Sequence, residues 1–269
     1  MKVAAIGDNC VDVYPRLDKY YCTGNSVDFA VHMKHLGADV SLISTTGNDE
    51  YGKQMIRELS EEKIDISHLK VEEGSTAISY MDLIERERTY GDYIEGVMEK
   101  IEFTEEDITF AASHDLIHTA FWGNAHKHLP RLKEKGAKIC FDYATEVEDS
   151  LVEETLPYVD YAFFSFEDCN LEVKQFLKNV IDKGITIAVA TFGEGGSMAY
   201  DGENYYQYGI YPSEVINTVG AGDSYMAGFM YGIMSGKRIT ECQEIGAKIA
   251  AHVVSIFDPW EKGSEKDGN

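Results

Sequence analysis

Short apolar runs recur along this chain behind amphipathic stretches, and three of the joins share one form. At Lys34-His35-Leu36-Gly37-Ala38, Glu134-Lys135-Gly136-Ala137 and Asp182-Lys183-Gly184-Ile185, a lysine is followed by a glycine and then by apolar residues. Glycine just past a helix supplies the left-handed conformation that ends it, and lysine in the last turn complements the helix dipole. The runs behind these joins, Val40–Ser44, Ile139–Phe141 and Ile185–Ala190, are short and partly β-branched. They suit strands buried on both faces of a parallel sheet, and Leu116–Thr119 and Tyr161–Phe164 read the same way. Helices alternating with short buried strands predict an α/β layered domain.

Helix starts are legible too. Thr104-Glu105-Glu106-Asp107 places an N-cap threonine before three acids, so the cluster Glu102–Asp107 reads as a solvated helix start and not a metal site. One region breaks the alternation. Ala77–Ile84 and the stretch through Thr89-Tyr90 look like two strands around a charged turn, Glu85–Arg88. Such a ribbon would be a flap beside the sheet and not a layer of it. The tail Glu261–Asn269 is polar and expected to be mobile. No internal repeat or low-complexity linker divides the 269 residues, which are expected to form one domain.

Composition narrows the partners. Hydrophobic residues at 44% and charged residues at 26% exclude a disordered chain or a coiled-coil rod. The net charge of −23 argues against nucleic acid and against an anionic membrane surface. No apolar run reaches the roughly 20 residues that span a bilayer, and the N-terminus turns polar too soon for a signal peptide. Cys10, Cys22, Cys140, Cys169 and Cys242 are scattered, odd in number and without a C-x-x-C pair. They read as reduced thiols, and a cytoplasmic location is expected. His118, His126 and His128 have no carboxylate or cysteine at ligand spacing and are assigned packing or surface roles.

The chemistry concentrates in Asn217-Thr218-Val219-Gly220-Ala221-Gly222-Asp223-Ser224. Small residues at Gly220, Ala221 and Gly222 let backbone amides approach an anion, and the helix they open adds its positive end. A carboxylate at Asp223 makes sense there if it accepts a proton from a hydroxyl attacking a phosphoryl group. The plain alternative is a glycine-rich helix start in which Asp223 serves only the dipole.

This string resembles the D-T-x-G-A-G-D-x-F signature of the ribokinase-like (PfkB) carbohydrate kinase family. The resemblance implies Asp223 as catalytic base and Gly220, Ala221 and Gly222 as the anion hole. Val189-Ala190-Thr191-Phe192-Gly193-Glu194-Gly195-Gly196 resembles the family's V-T-x-G-x-x-G turn, which implies ATP phosphates beside Thr191, Gly193 and Gly196. On the last long helix, Ala247, Ala250 and Ala251 fall where relatives pack small residues beside adenine; Ala251 is taken as a nucleotide contact. Glu167 stands for the acid of the N-x-x-E motif that acts through magnesium, with Phe164 at the asparagine position. The family's first aspartate is replaced by Asn217, and Phe257-Asp258-Pro259-Trp260 replaces a glycine-containing turn. Both departures bear on the monovalent cation that many relatives bind.

At the sugar end, Gly7-Asp8-Asn9-Cys10-Val11-Asp12 resembles the family's opening strand and turn, which implies that Asp12 grips substrate hydroxyls. Thr23-Gly24-Asn25-Ser26-Val27-Asp28-Phe29-Ala30 resembles G-G-x-x-x-N-x-A, so Gly24, Asn25 and Asp28 are expected to bind substrate, with Asp28 in place of asparagine. Gly47-x-Asp49-x-x-Gly52 reads as scaffold. Within the family, Ile6–Pro15, Gly91–Val97 and Trp122-Gly123 are similar to the fructoselysine 6-kinases. That implies a fructosyl-amine substrate and makes Asp92 and Glu95 candidate contacts for its cationic end. The expectation is a ribokinase-like three-layer α/β sandwich with a β-strand lid from about 9–22 and 73–97, a homodimer through the lid being compatible with it. The rivals are a kinase of the same family for fructose, a keto-sugar acid or a nucleoside, and a catalytically silent nucleotide-binding relative.

Overall fold

A computed structural model describes residues 1–84 and 87–262. Residues 85 and 86 of the turn expected at Glu85–Arg88, and residues 263–269 of the expected tail, lie outside the described residues. The chain runs β1 (Lys2–Ile6), β2 (Cys10–Tyr14), β3 (Lys19–Thr23), α1 (Asn25–His35), β4 (Asp39–Gly47), α2 (Glu50–Glu61) and β5 (Asp65–Glu72). It continues through β6 (Ile78–Ile84), β7 (Glu87–Ile94), α3 (Glu105–Ala111), β8 (Leu116–Ala120), α4 (Leu129–Glu134), β9 (Ile139–Asp142) and α5 (Ser150–Thr155). Then come β10 (Tyr161–Ser165), α6 (Leu171–Ile181), β11 (Ile187–Thr191), β12 (Ser197–Tyr200), β13 (Tyr205–Tyr208), α7 (Ala221–Met234) and α8 (Ile239–Val253).

Nine of these strands form one sheet in the order β13-β12-β11-β10-β9-β8-β1-β4-β5. It is parallel from β5 to β11 and antiparallel at β12 and β13. Successive strand residues point to opposite faces and so enter different cores. Ala4 and Ile6 pack with Ile108, Leu129, Val152 and Leu177 of α3 to α6. Val3 and Ala5 pack with Phe29, Leu59, Met226 and Cys242 of α1, α2, α7 and α8. Strands buried on both faces explain the continuous apolar runs, and the result is the expected three-layer sandwich.

The local signals act as read. Gly37, Gly136 and Gly184 have φ of 94°, 84° and 104° just past α1, α4 and α6. Thr104 caps α3 in a reciprocal box with Asp107, whose carboxylate also takes His68 at 2.8 Å and Lys70 at 2.7 Å. Asp49 caps α2 by accepting from the Gly52 amide, as scaffold. The cysteines are all free thiols. No helix among the described residues is long and apolar enough to cross a membrane.

The second sheet, β3-β2-β6-β7, is the lid. It meets the body through Tyr14, Tyr21 and Met81, which pack on Val219 with Phe257 beside them. Here Asn217 is buried, its Nδ2 donating to the Phe257 carbonyl at 2.8 Å and to the Tyr21 hydroxyl at 3.2 Å.

Candidate active site

The main sheet has one place where the chain reverses its direction of travel. From β1 it proceeds outward to β4 and β5, then returns to β8 on the other side of β1. In open α/β sheets, ligands bind beyond the carboxyl ends of the strands at such a point. A cavity of about 1050 Å³ lies there, lined by the residues that follow β1, β8, β9 and β10, by the start of α1, by the lid, and by the start of α7.

The start of α7 is built on Gly220, whose φ of 71° lies in the left-handed region that glycine adopts without strain. A Cβ at this position would stand 3.0 Å from the Pro259 carbonyl oxygen. Gly222, the second residue of α7, is exposed with open space beside it. First-turn amides have no partner within their helix; the Ala221 amide donates weakly back to the Thr218 carbonyl at 3.4 Å, which leaves those of Gly222 and Asp223 for a ligand. Gly220, Gly222 and Asp223 line the cavity, while Ala221 is half-buried beside them.

Asp223 faces one other carboxylate, Asp142, across a single donor. The Nδ2 of Asn25 reaches Asp223 Oδ1 at 3.2 Å and Asp142 Oδ2 at 3.3 Å. Asp8 accepts from the Asn25 amide at 2.9 Å and from Ser26 Oγ at 3.3 Å, which fixes the first turn of α1. Burial and the nearby charges of Asp142 and Asp8 hold the Asp223 carboxyl well above its ordinary value. Burial and Asp223 do the same to Asp28. Burial alone accounts for most of the rise of Asp142 to about 6. A cluster of this kind favours a cation or a shared proton.

The sugar end holds two buried acceptors without partners, Asn9 Oδ1 and Asp28 Oδ1. Asn9 is oriented by its Nδ2, which donates to Ser44 Oγ and to the Thr45 carbonyl, both at 2.7 Å. Asp28 is oriented by Thr23 Oγ1, which donates to its Oδ2 at 2.8 Å. Unpaired buried acceptors are costly, and hydroxyl donors from a polyol would satisfy them. Asp12, on β2, lines the same space, as do Gly24 and Asn25.

Other expected residues fall differently. Glu95 lines the cavity with Gly91 and Tyr93, but Asp92 lies on the opposite face of β7, because strand neighbours alternate sides. Asp92 is exposed and is withdrawn as a substrate contact. Glu167 is exposed and outside the lining; Phe164 is buried in the core, and Ser165, the last residue of β10, faces the cavity instead. Thr191 joins the site through Ser165, their hydroxyls 3.2 Å apart. Gly193 sits in an open turn, Gly196 packs its Cα face against the Tyr208 carbonyl, and Ala251 is half-buried on α8. These three stand outside the enclosed cavity.

His126 also lines the cavity, beyond its expected packing or surface role; so do Trp122, named above only for its resemblance, and Lys127, Glu99 and Asp142, which the sequence did not single out. Asp142 had a signal, an acid ending a wholly apolar strand; the others lie in loops without periodicity. Among the described residues, no group of three His, Cys, Asp or Glu side chains is placed to hold a metal ion. Asn217 presents an amide donor to the Phe257 carbonyl, where a monovalent cation would need an acceptor, so the residues at that position do not fit such an ion.

Comparison with known proteins agrees with this geometry. Residues 12–258 match the sequence pattern of the pfkB family carbohydrate kinases. The chain is 36% identical over 260 residues to a fructoselysine 6-kinase of Escherichia coli, covering 96% of this chain and 99% of that one. It is 30% identical over 268 residues to a fructosamine kinase of Bacillus subtilis, covering 98% and 94%. The fold superposes on Arabidopsis thaliana ribokinase, solved with ribose and ATP, with a TM-score of 0.80 at 16% identity, covering 95% and 92%.

Proposed function

This chain belongs to the pfkB family of carbohydrate kinases, ATP-dependent phosphotransferases, and from that premise we propose that it phosphorylates the 6-hydroxyl of a fructosamine such as fructoselysine. The observation that carries the substrate class is the charge of the cavity. Asp8, Asp12, Asp28, Asp142 and Asp223 line its inner part and Glu95 and Glu99 its exposed part, against Lys127 as the one lysine among the described residues of the lining. A neutral hexose offers these carboxylates no counter-charge. A fructosamine carries a secondary ammonium beside its sugar, which supplies that counter-charge. Relatives named for fructoselysine and fructosamine, at 36% and 30% identity, support the same reading.

In this reading the sugar hydroxyls donate to Asn9 Oδ1, Asp28 Oδ1 and Asp12, which turns the primary hydroxyl toward Asp223. Asp223 takes the hydroxyl proton as that oxygen bonds to the γ-phosphorus and the bond from phosphorus to the bridging oxygen of ADP breaks. Asn25 keeps the carboxylate aimed. The first-turn amides of Gly222 and Asp223, with the weakly engaged one of Ala221, receive the charge that develops on the transferred group. Magnesium entering with the nucleotide supplies positive charge against the phosphate oxygens. Thr191 and Gly193 border the nucleotide side, with Gly196 shaping their turn and Ala251 beside the base.

The test is ADP release with magnesium-ATP across fructoselysine, fructose, ribose, a keto-sugar acid and adenosine. A charged hydrogen-bonded contact contributes about 1.5–3 kcal/mol, so kcat/KM for fructoselysine should exceed that for fructose by roughly 10- to 100-fold. A higher kcat/KM for fructose, the sugar acid or adenosine would refute the fructosamine assignment and leave the kinase.

A further inference from the structure

We propose that the mouth of the cavity carries a subsite for a free amino-acid group at the far end of the substrate. In it His126 and Lys127 take the α-carboxylate, Glu99 takes the α-ammonium, and Trp122 covers the alkyl chain between. This rests on the fructosamine reading and goes beyond it, because it makes the enzyme selective for the amino acid as well as for the sugar.

The loop after β8 supplies one wall. Lys127 is the only lysine or arginine among the described residues that line the cavity, and it makes no ion pair or hydrogen bond there. Elsewhere in the chain lysines find acids readily, as in Lys133 with Asp160 at 2.6 Å and Lys262 with Glu58 at 2.9 Å. Its neighbour His126 has a buried Nδ1 without a partner. Burial and the adjacent Lys127 charge keep the His126 ring neutral, so it can donate one N–H without adding charge. An unpaired ammonium beside a neutral imidazole on the same wall suits a carboxylate, which can accept from both.

The opposite wall is the single helical turn Gly96–Lys100, where Glu99 is exposed and lines the cavity. The two walls are fastened together: Asn124 Nδ2 donates to the Ile101 carbonyl at 3.0 Å. Trp122 lines the same cavity while 53% exposed, a large apolar face that a methylene chain would cover. The sugar-binding acceptors Asn9 and Asp28 are buried, whereas Trp122, Lys127 and Glu99 are exposed. A ligand with a polyol at one end and a zwitterion at the other matches that order. A cavity of about 1050 Å³ has room for both, being at the upper end of the size that encloses ligands much larger than one hexose.

The experiment compares fructoselysine with fructosylcadaverine, which lacks only the α-carboxylate, on the wild-type enzyme and on Lys127→Met, with melting temperatures to verify the fold. Wild type should favour fructoselysine in kcat/KM by about 10- to 100-fold, as a charge-assisted contact implies. In Lys127→Met that preference should fall to within about threefold, through KM more than kcat. Nα-acetyl-fructoselysine should be discriminated against by wild type and no longer by Glu99→Gln. A wild-type enzyme that treats the first two compounds alike, or a preference that survives Lys127→Met, overturns the subsite and leaves the fructosamine reading standing. Absence of turnover with both compounds overturns the fructosamine reading and the subsite together.

Discussion

Asn25 holds Asp223 and Asp142 with one amide, at 3.2 and 3.3 Å, and burial beside Asp142 and Asp8 makes the proposed base expensive to ionise in spite of that donor. Asp223→Asn keeps an oxygen for Asn25 to donate to while removing both the base and one charge of the cluster. Turnover should fall by roughly 10²–10⁴-fold, with nucleotide KM changed by a small factor in steady-state assays. The same substitution should stabilise the fold. A carboxyl raised in the folded state favours folding only while protonated, so that contribution is full below about pH 4 and is lost as pH rises through the raised value. Denaturation midpoints of the variant and wild type should coincide near pH 4 and separate by about 1–2 kcal/mol at neutral pH, the variant being the more stable. For the wild type, the acid limb of kcat/KM is expected above the ordinary carboxylate range. Asp223 was legible as a candidate base from the family resemblance, since T-x-G-A-G-D is contiguous. The sequence was silent on Asn25 as the bridge to Asp142, because the partners are 198 and 117 residues away.

At the scale of elements, α7 is buried nearly all round, from Ser224 to Met230, and its N-terminus inherits whatever position its packing dictates. Gly228 and Gly246 let α7 and α8 touch: a Cβ at Gly228 would lie 2.8 Å from the Gly246 Cα, a backbone atom that cannot move aside. Gly228→Ala should therefore cost about 1–3 kcal/mol, read as a drop of several degrees in the melting temperature, and lower kcat by displacing Asp223. The glycines that end α1, α4 and α6 were legible because a helix end is a local event. Gly228 was not, because its requirement comes from a helix that follows a separate turn. The lid shows the same division. Its strands were readable from their alternation around a charged turn, but the docking of Tyr14 and Tyr21 on Asn217 and Phe257 was not.

For the whole molecule, the net charge of −23 has a kinetic consequence beyond excluding nucleic acid. An acidic surface around an acidic cavity attracts a cationic ligand over distances that salt shortens, from a Debye length of about 20 Å or more at low ionic strength to a few ångströms near 1 M. At saturating magnesium-ATP, kcat/KM for fructoselysine should fall severalfold as sodium chloride is raised from roughly 0.02 to 0.5 M, while that for neutral fructose stays flat. Equal salt dependence for the two substrates would show that the field of the molecule plays no part in substrate capture.

Local patterning was enough for the layered α/β class, the helix ends, the lid strands and the glycine turn that opens α7 at Gly220. Each of these depends on neighbours within a few residues: a cap, a φ value, a period of two or 3.6. Only the tertiary structure decided which carboxylates share the cavity. The sheet's reversal beside β1 brings together Asp8, Asp28, Asp142 and Asp223 from four distant segments. It also decided that Glu95 faces the cavity while Asp92 faces away, that Ser165 and not Phe164 ends β10 at the site, and that His126 and Lys127 form one of its walls. Facing and burial are properties of the assembled surroundings, and the raised carboxyl groups of Asp28 and Asp223 follow from them.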